Sequence, residues 1–160
     1  MANVVQSIIG VDLDNTSTTQ LFALGTHVNG TNNSEWVYVQ IGATAVTAYK
    51  VVAFNNAYTC GMASGADVLA GLELGVAQTA MATGAYGWVP VRGNSLGVLG
   101  SGSSTLVAQG IYLHGTGLMD NQVSGSVTIA GVAFVSVAQT AGVTVSGMLW
   151  NWPHALTTGA

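Results

Sequence analysis

The chain has 160 residues, enough for one domain with a sizeable core, and a formal net charge of -4 with Lys50 and Arg92 as its two fixed cations; that balance lacks the basic surface that grips phosphates, so nucleic acid is not an expected partner. Only 5% of the residues are charged, against about 25% in an ordinary soluble domain, so the surface is coated with neutral polar residues and glycine or covered by neighbouring copies. The lone cysteine, Cys60, excludes an internal disulfide, and stability must come from packing or assembly.

The first twenty residues stand apart. An apolar start, NVVQSIIGV, runs into DLDNTSTTQ, a polar string without core periodicity, and the start has neither the basic opening nor the cleavage site of a secretory signal. Residues 1–20 are read as an extended N-terminal arm, whose Val4, Val5, Ile8 and Ile9 are candidates for adding as a strand to the sheet edge of another molecule.

From Leu21 the pattern becomes short β-type runs separated by turn clusters. LFALGTHV, NGTNNS and EWVYVQI predict a hairpin reversed at Asn29 and Gly30. Alternation in EWVYVQI sets Trp36, Tyr38 and Gln40 on one face and Val37, Val39 and Ile41 on the other, as in a half-buried strand. AVTAYKVVAF is a further strand candidate, NNAYTCGMASGAD a loop, and LAGLELGVAQTA a return to extended chain. AYGWVPVRG alternates again, with Tyr86, Trp88 and Arg92 on one side. Pro90 donates no ladder hydrogen bond, which predicts a sheet edge or a bulge there. GVLGSGSSTLVAQGIYL, SVTIAGVAFVSVA and GVTVSGMLW continue the series, and no helix of three turns is predicted.

The uncharged stretch VTIAGVAFVSVAQTAGVTVSGMLW raises a membrane span, but Gln139, Thr140, Thr144 and Ser146 interrupt it and valine and glycine dominate it; strands account for it better. The phrase VAQTA occurs twice, at residues 76–80 and 137–141, each time between an apolar run and an alternating one. Either it marks two similar strand-turn-strand units, or it is a coincidence of a small-residue alphabet.

The blocks FALGTHVNGTNNSEWVYVQIG, GVAQTAMATGAYGWVPVRG and VSGMLWNWP resemble the small capsid decoration, or cement, proteins of tailed bacteriophages, over roughly residues 21 to 152. The resemblance implies a compact β-barrel-like unit in which a glycine-led apolar strand reaches an aromatic strand of the form YxWVxVRG. It implies a structural virion protein bound to the major capsid protein, commonly as a homo-oligomer with a trimer favoured, and it carries no catalytic signature.

The chemistry-bearing residues are sparse. GNSLG at 93–97 matches the G-x-S-x-G nucleophile elbow around Ser95, but no helix follows it, so a turn is the expectation. His27, His114 and His154 lie at no metal-ligand spacing. Cys60 is read as a small hydrophobe before a thiol nucleophile. DLDN begins as calcium loops begin, without the glycine and terminal glutamate that complete one, and Glu35, Asp67 and Glu73 are isolated acids.

The distinctive set is aromatic: Trp36 and Tyr38 share one strand face, Tyr86 and Trp88 another, and Trp150 and Trp152 close the chain. Such residues anchor interfaces when exposed and build cores when buried. With Pro90 and Arg92 they are the candidate subunit or capsid contacts. The expectation is therefore an all-β fold, a compact β-barrel or sandwich-like domain over residues 21–160 carrying the arm. Its expected role is non-enzymatic capsid decoration on the virion exterior, with no cofactor and no membrane partner. A carbohydrate-binding or host-attachment module of the virion, stacking exposed aromatics on sugar rings, is the alternative.

Overall fold

The computed structural model describes residues 11–30, 33–64, 66–67, 70–98, 111–114, 117–120, 127–134 and 144–156. The fold is all-β. The described residues form ten strands: β1 (His27–Asn29), β2 (Glu35–Ile41), β3 (Val51–Phe54), β4 (Thr59–Met62), β5 (Glu73–Val76), β6 (Tyr86–Val98), β7 (Ile111–His114), β8 (Leu118–Asp120), β9 (Val127–Phe134) and β10 (Thr144–Leu156). They make one curled, half-barrel sheet in the order β5-β3-β4-β2-β6-β10-β9-β7-β8, with β1 beside β2.

Strand β2 is the centre of the first half because its alternation lets it bury both faces. It pairs antiparallel with β1 (His27↔Val37 to Asn29↔Glu35) and with β6 (Tyr38↔Trp88), and parallel with β4 (Gln40↔Thr59). Val37, Val39 and Ile41 point into the curl. There they meet Val52 and Phe54 of β3, Cys60 of β4, Val89 and Val91 of β6, and Val46, Ala77 and Met81 from the connections. The opposite face carries Trp36, Tyr38 and Trp88, and it is covered in turn by Leu13, Val11, Phe22, Leu24 and Val28.

The hairpin expected at residues 21–41 forms, with its loop closed by Gly30 N–H donating to Ser34 O at 2.8 Å. Among its described residues the left-handed one is Asn33 (φ 58°), however, and not Asn29 or Gly30. Gly30 is needed for space: a Cβ there would lie 2.5 Å from Ser34 Oγ and 2.9 Å from Trp36 Nε1. Residues 45–50 of the predicted AVTAYKVVAF strand lie outside β3. Within the predicted NNAYTCGMASGAD loop, Asn55–Tyr58 is a tight turn, with Asn55 Oδ1 accepting from Ala57 N–H (2.9 Å) and Thr59 N–H (3.1 Å), and Thr59–Met62 is β4. An Asx side chain that satisfies its own turn makes so short a reversal possible.

Pro90 sits beside a bulge, one of the two placements its missing N–H permits. Trp36 pairs with Pro90 and Glu35 with Arg92, so Val91 is the extra residue on β6. Gly93 (φ 97°) follows, and a Cβ there would lie 2.6 Å from Ser34 Cα. Beyond the bulge β6 leaves β2 and pairs with β10, from Arg92↔Asn151 to Val98↔Thr144. One thirteen-residue strand thus serves two neighbours, which curls the sheet.

The second half is tied back at Gly117, just before β8. Gly117 N–H donates to Ala63 O at 2.7 Å and Gly117 O accepts from Val51 N–H at 2.9 Å. Its φ of 67° and the 2.6 Å from a built Cβ to Val51 O make glycine necessary there.

The first VAQTA does not belong to a hairpin. β5 pairs with β3, and β6 with β2 and β10, so residues 77–85 are a crossover between strands that are not hydrogen-bonded neighbours. The second copy lies outside the described residues, between β9 and β10, which do pair antiparallel. The reading of the first copy as a hairpin is thereby overturned.

Candidate functional site: a cleft on the aromatic face

Alternation along β2 and β6 puts Tyr38 opposite Trp88 and Gln40 opposite Tyr86, so four consecutive outward positions of two paired strands carry three large aromatic rings. Tyr38 and Trp88 approach to 4.9 Å between ring centroids, and Tyr38 and Tyr86 to 6.2 Å with planes 13° apart. Phe22 packs edge-on to Tyr38 at 5.3 Å and tilted against Trp88 at the same distance.

This platform would be exposed had the chain left it bare. Residues 11–22 cross it instead. Leu13 is 2% exposed in contact with the cluster, and Ser17 forms a two-way backbone bridge with Tyr86, donating at 3.0 Å and accepting at 2.7 Å. Leu21 N–H donates to the Tyr38 hydroxyl at 3.1 Å. The described half of the N-terminal arm is thus an extended segment docked on the domain. A polar string with one well-placed leucine needs no periodicity of its own when the sheet supplies the apolar surface.

Between the segment and the platform lies a cleft of about 290 Å³. Its apolar lining is Tyr86, Tyr38 and Trp88 of the platform with Val11, Leu21 and Phe22 of the segment; its polar lining is Asp12, Asn15, Thr16 and Ser17. Asp12 Oδ1 accepts from Asp14 N–H at 3.0 Å, and Ser17 Oγ from Thr19 N–H at 3.0 Å, so these residues shape the loop themselves. The Tyr86 hydroxyl accepts from Gln40 Nε2 at 3.1 Å.

The other candidate contacts separate. Trp36 is buried, its indole N–H donating to Ser34 Oγ at 3.0 Å, and Pro90 is buried at the bulge. Arg92 is half-buried. Trp150 and Trp152 lie on β10, with Trp150 in register with Gly93 on one side and Val132 on the other. Val4, Val5, Ile8 and Ile9 lie outside the described residues.

Ser95 lies within β6, paired with Met148 of β10, and not in the expected turn; the strand continues to Val98 where a nucleophile elbow would begin its helix. Cys60 is buried, and burial pushes its thiol up to about 12, the opposite of an activated nucleophile. His27 Nδ1 lies 3.0 Å from Glu35 Oε1 across the β1–β2 pair. The Asp67 carboxylate accepts from Ser64 N–H at 2.8 Å and Ser64 Oγ at 2.7 Å. Among the described residues no three His, Cys, Asp or Glu side chains converge as a metal site, and no helix is long and apolar enough to cross a membrane. No protein-family model matches the chain, and no curated protein matches it.

The sequence missed Asp12, Leu13, Asn15 and Phe22 as partners of the aromatic face. The available signals were the lone apolar Leu13 within DLDN and the aromatic Phe22 just after the polar string.

Proposed function

We propose that this protein is a structural virion component that decorates a tailed-phage capsid, binding the outer surface of the major capsid protein lattice as a homo-oligomer, with a trimer favoured. The observation that carries the proposal is the anchoring of the N-terminal segment. Leu13 is the most N-terminal buried side chain among the described residues, and it fixes residues 11–22 to a rigid β platform. VVQSIIG, residues 4–10, precedes the docked segment directly. Seven largely apolar residues leashed to a folded domain suit strand addition to a neighbouring subunit, in which main-chain hydrogen bonds supply affinity and alternate side chains supply register.

The sparse charge supports the same role. A contact built from apolar and hydrogen-bonded groups is insensitive to ionic strength, since screening acts on exposed charge pairs. Repetition over a lattice, with several sites engaged per oligomer, raises a modest local affinity through effective concentration.

The test is co-sedimentation with undecorated heads of the phage that encodes the chain, comparing the full protein with a variant lacking residues 2–10. That cut leaves Leu13 and its contacts in place. The full protein should sediment with heads in both low and high salt, and the truncated one should bind at least tenfold more weakly with unchanged melting. Equal binding by the truncated form refutes the arm as the attachment device; no binding by either refutes decoration.

A further inference from the structure

We propose that the cleft between residues 11–22 and the aromatic face is a binding site for a neutral pyranose sugar. Decoration does not require this property, and the cleft would serve a virion surface protein as a point of glycan contact.

Four observations converge on the ligand class. First, one wall is aromatic: Tyr86 is half-buried at the cleft, and its ring lies within 13° of parallel to that of Tyr38, so the two faces share an orientation. The electron-rich face of an aromatic ring attracts weakly positive hydrogens, and the axial C–H groups of a pyranose form such a surface. Second, the lining contributed by the segment includes polar groups with capacity to spare. Asp12 spends one carboxylate oxygen on Asp14 N–H, and its second oxygen, the Asn15 side-chain amide and the Thr16 hydroxyl make no hydrogen bond among the described residues.

Third, the Tyr38 hydroxyl, on a residue 2% exposed, accepts from Leu21 N–H while its own proton has no acceptor among the described residues. The Tyr86 hydroxyl, on a half-buried residue, accepts from Gln40 Nε2. A buried donor left without a partner is costly, and a ligand oxygen relieves it. Fourth, size and charge narrow the class. A cleft of about 290 Å³ lies at the small end of ligand pockets, roughly 300–1,000 Å³, which suits one ring better than a long chain. Among the described residues the only charged side chain lining it is Asp12, which repels uronates and other anionic sugars and leaves neutral ones.

The experiment is an NMR titration of the full-length protein with the methyl glycosides of glucose, galactose, mannose and N-acetylglucosamine, and with methyl glucuronoside. Resonances of Asn15, Tyr86 and the Trp88 indole are followed. At least one neutral glycoside should shift these resonances saturably at millimolar concentration, and the glucuronoside should bind at least tenfold more weakly. Asn15→Ala, a change at an exposed side chain, should weaken binding about tenfold, the loss expected for about 1.4 kcal/mol of hydrogen bonding, without altering melting. Tyr86→Leu should abolish binding.

The proposal is overturned if no neutral glycoside shifts these resonances at tens of millimolar, if the glucuronoside binds equally well, or if Asn15→Ala leaves affinity unchanged. It is also overturned if binding appears only after residues 2–10 are removed, because the cleft's occupant would then be the chain's own N-terminal segment. None of these outcomes bears on capsid binding, which co-sedimentation reads separately.

Discussion

Gly75 and Gly61 are both strand glycines with ordinary φ, yet the same substitution should act on them in opposite directions. Gly75 is where β5 passes over β6 inside the curl. A Cβ built there lies 2.4 Å from Val89 Cγ1 and 2.8 Å from the Pro90 carbonyl oxygen, whereas one built at Gly61 has nothing within 4 Å. Ordinary carbon contacts sit at about 3.5–4.0 Å, so Gly75→Ala demands that β5 and β6 separate by several tenths of an ångström to about 1 Å. Neither neighbour yields easily. Val89 is fully buried and β-branched, with little χ1 freedom, and Pro90 is main chain held next to a bulge. Overpacking of this kind costs about 1–3 kcal/mol, and the reduced entropy of the unfolded alanine chain offsets about 0.4–1 kcal/mol of it. Gly75→Ala should therefore lose about 1–2 kcal/mol. Gly61→Ala should gain about 0.5–1 kcal/mol, the ordinary penalty of a strand glycine removed. At about 2–4 °C per kcal/mol for a domain of this size, thermal unfolding should fall by about 2–8 °C in the first and rise by about 1–4 °C in the second. A Gly75→Ala protein as stable as Gly61→Ala would refute the packing of β5 against β6.

Two further outcomes follow from buried groups. Because burial raises the Cys60 thiol from 9.0 to about 12, the folded state keeps a proton that the unfolded chain releases; the resulting stability is intact below pH 9 and is lost as pH rises from 9 toward 12, at no more than about 1.4 kcal/mol per pH unit. Urea unfolding of wild type and Cys60→Ala at about pH 8 and about pH 10 should show wild type losing about 1.4 kcal/mol more over that interval, and parallel losses would disprove the burial argument. Leu13→Ala removes a 2%-exposed side chain from against Trp36, Tyr38 and Trp88 and should cost about 2–4 kcal/mol with a changed near-ultraviolet tryptophan signal. A cost below about 0.5 kcal/mol, typical of a surface site, would show that residues 11–22 are not held on the platform.

What the sequence made legible were properties that act along one strand. The alternation of EWVYVQI assigned Trp36 and Tyr38 to one face of β2 and Val37, Val39 and Ile41 to the other, and the missing N–H of Pro90 foretold its edge-or-bulge position. Properties that depend on which strands become neighbours were not legible. The first VAQTA phrase is as compatible with a hairpin as with a crossover, and only the pairing of β5 with β3 and of β6 with β2 decides between them. Cys60 and its flanking residues read as loop because TCGM is too short to show alternation, and its strand exists through antiparallel pairing with β3 and parallel pairing with the end of β2.

The aromatic face shows the same limit in a form that bears on function. Period-two spacing put Trp36 and Tyr38, and separately Tyr86 and Trp88, on common faces, but a period cannot say what covers a face. An uncovered platform of three rings would be an apolar patch of the kind that mediates association. Here DLDNTSTTQ supplies the cover, with Leu13 inserted among the rings and Ser17 bridged to Tyr86, so that Tyr38 and Trp88 are spent within the chain. The cover is incomplete beside Tyr86, where the cleft remains. Contacts with other molecules therefore fall to different parts of the chain than the aromatic spacing alone suggests. On the two proposals made above, the segment before the Leu13 anchor would take up strand addition, and the cleft lined by Asp12, Asn15 and Thr16 would take up small-ligand recognition.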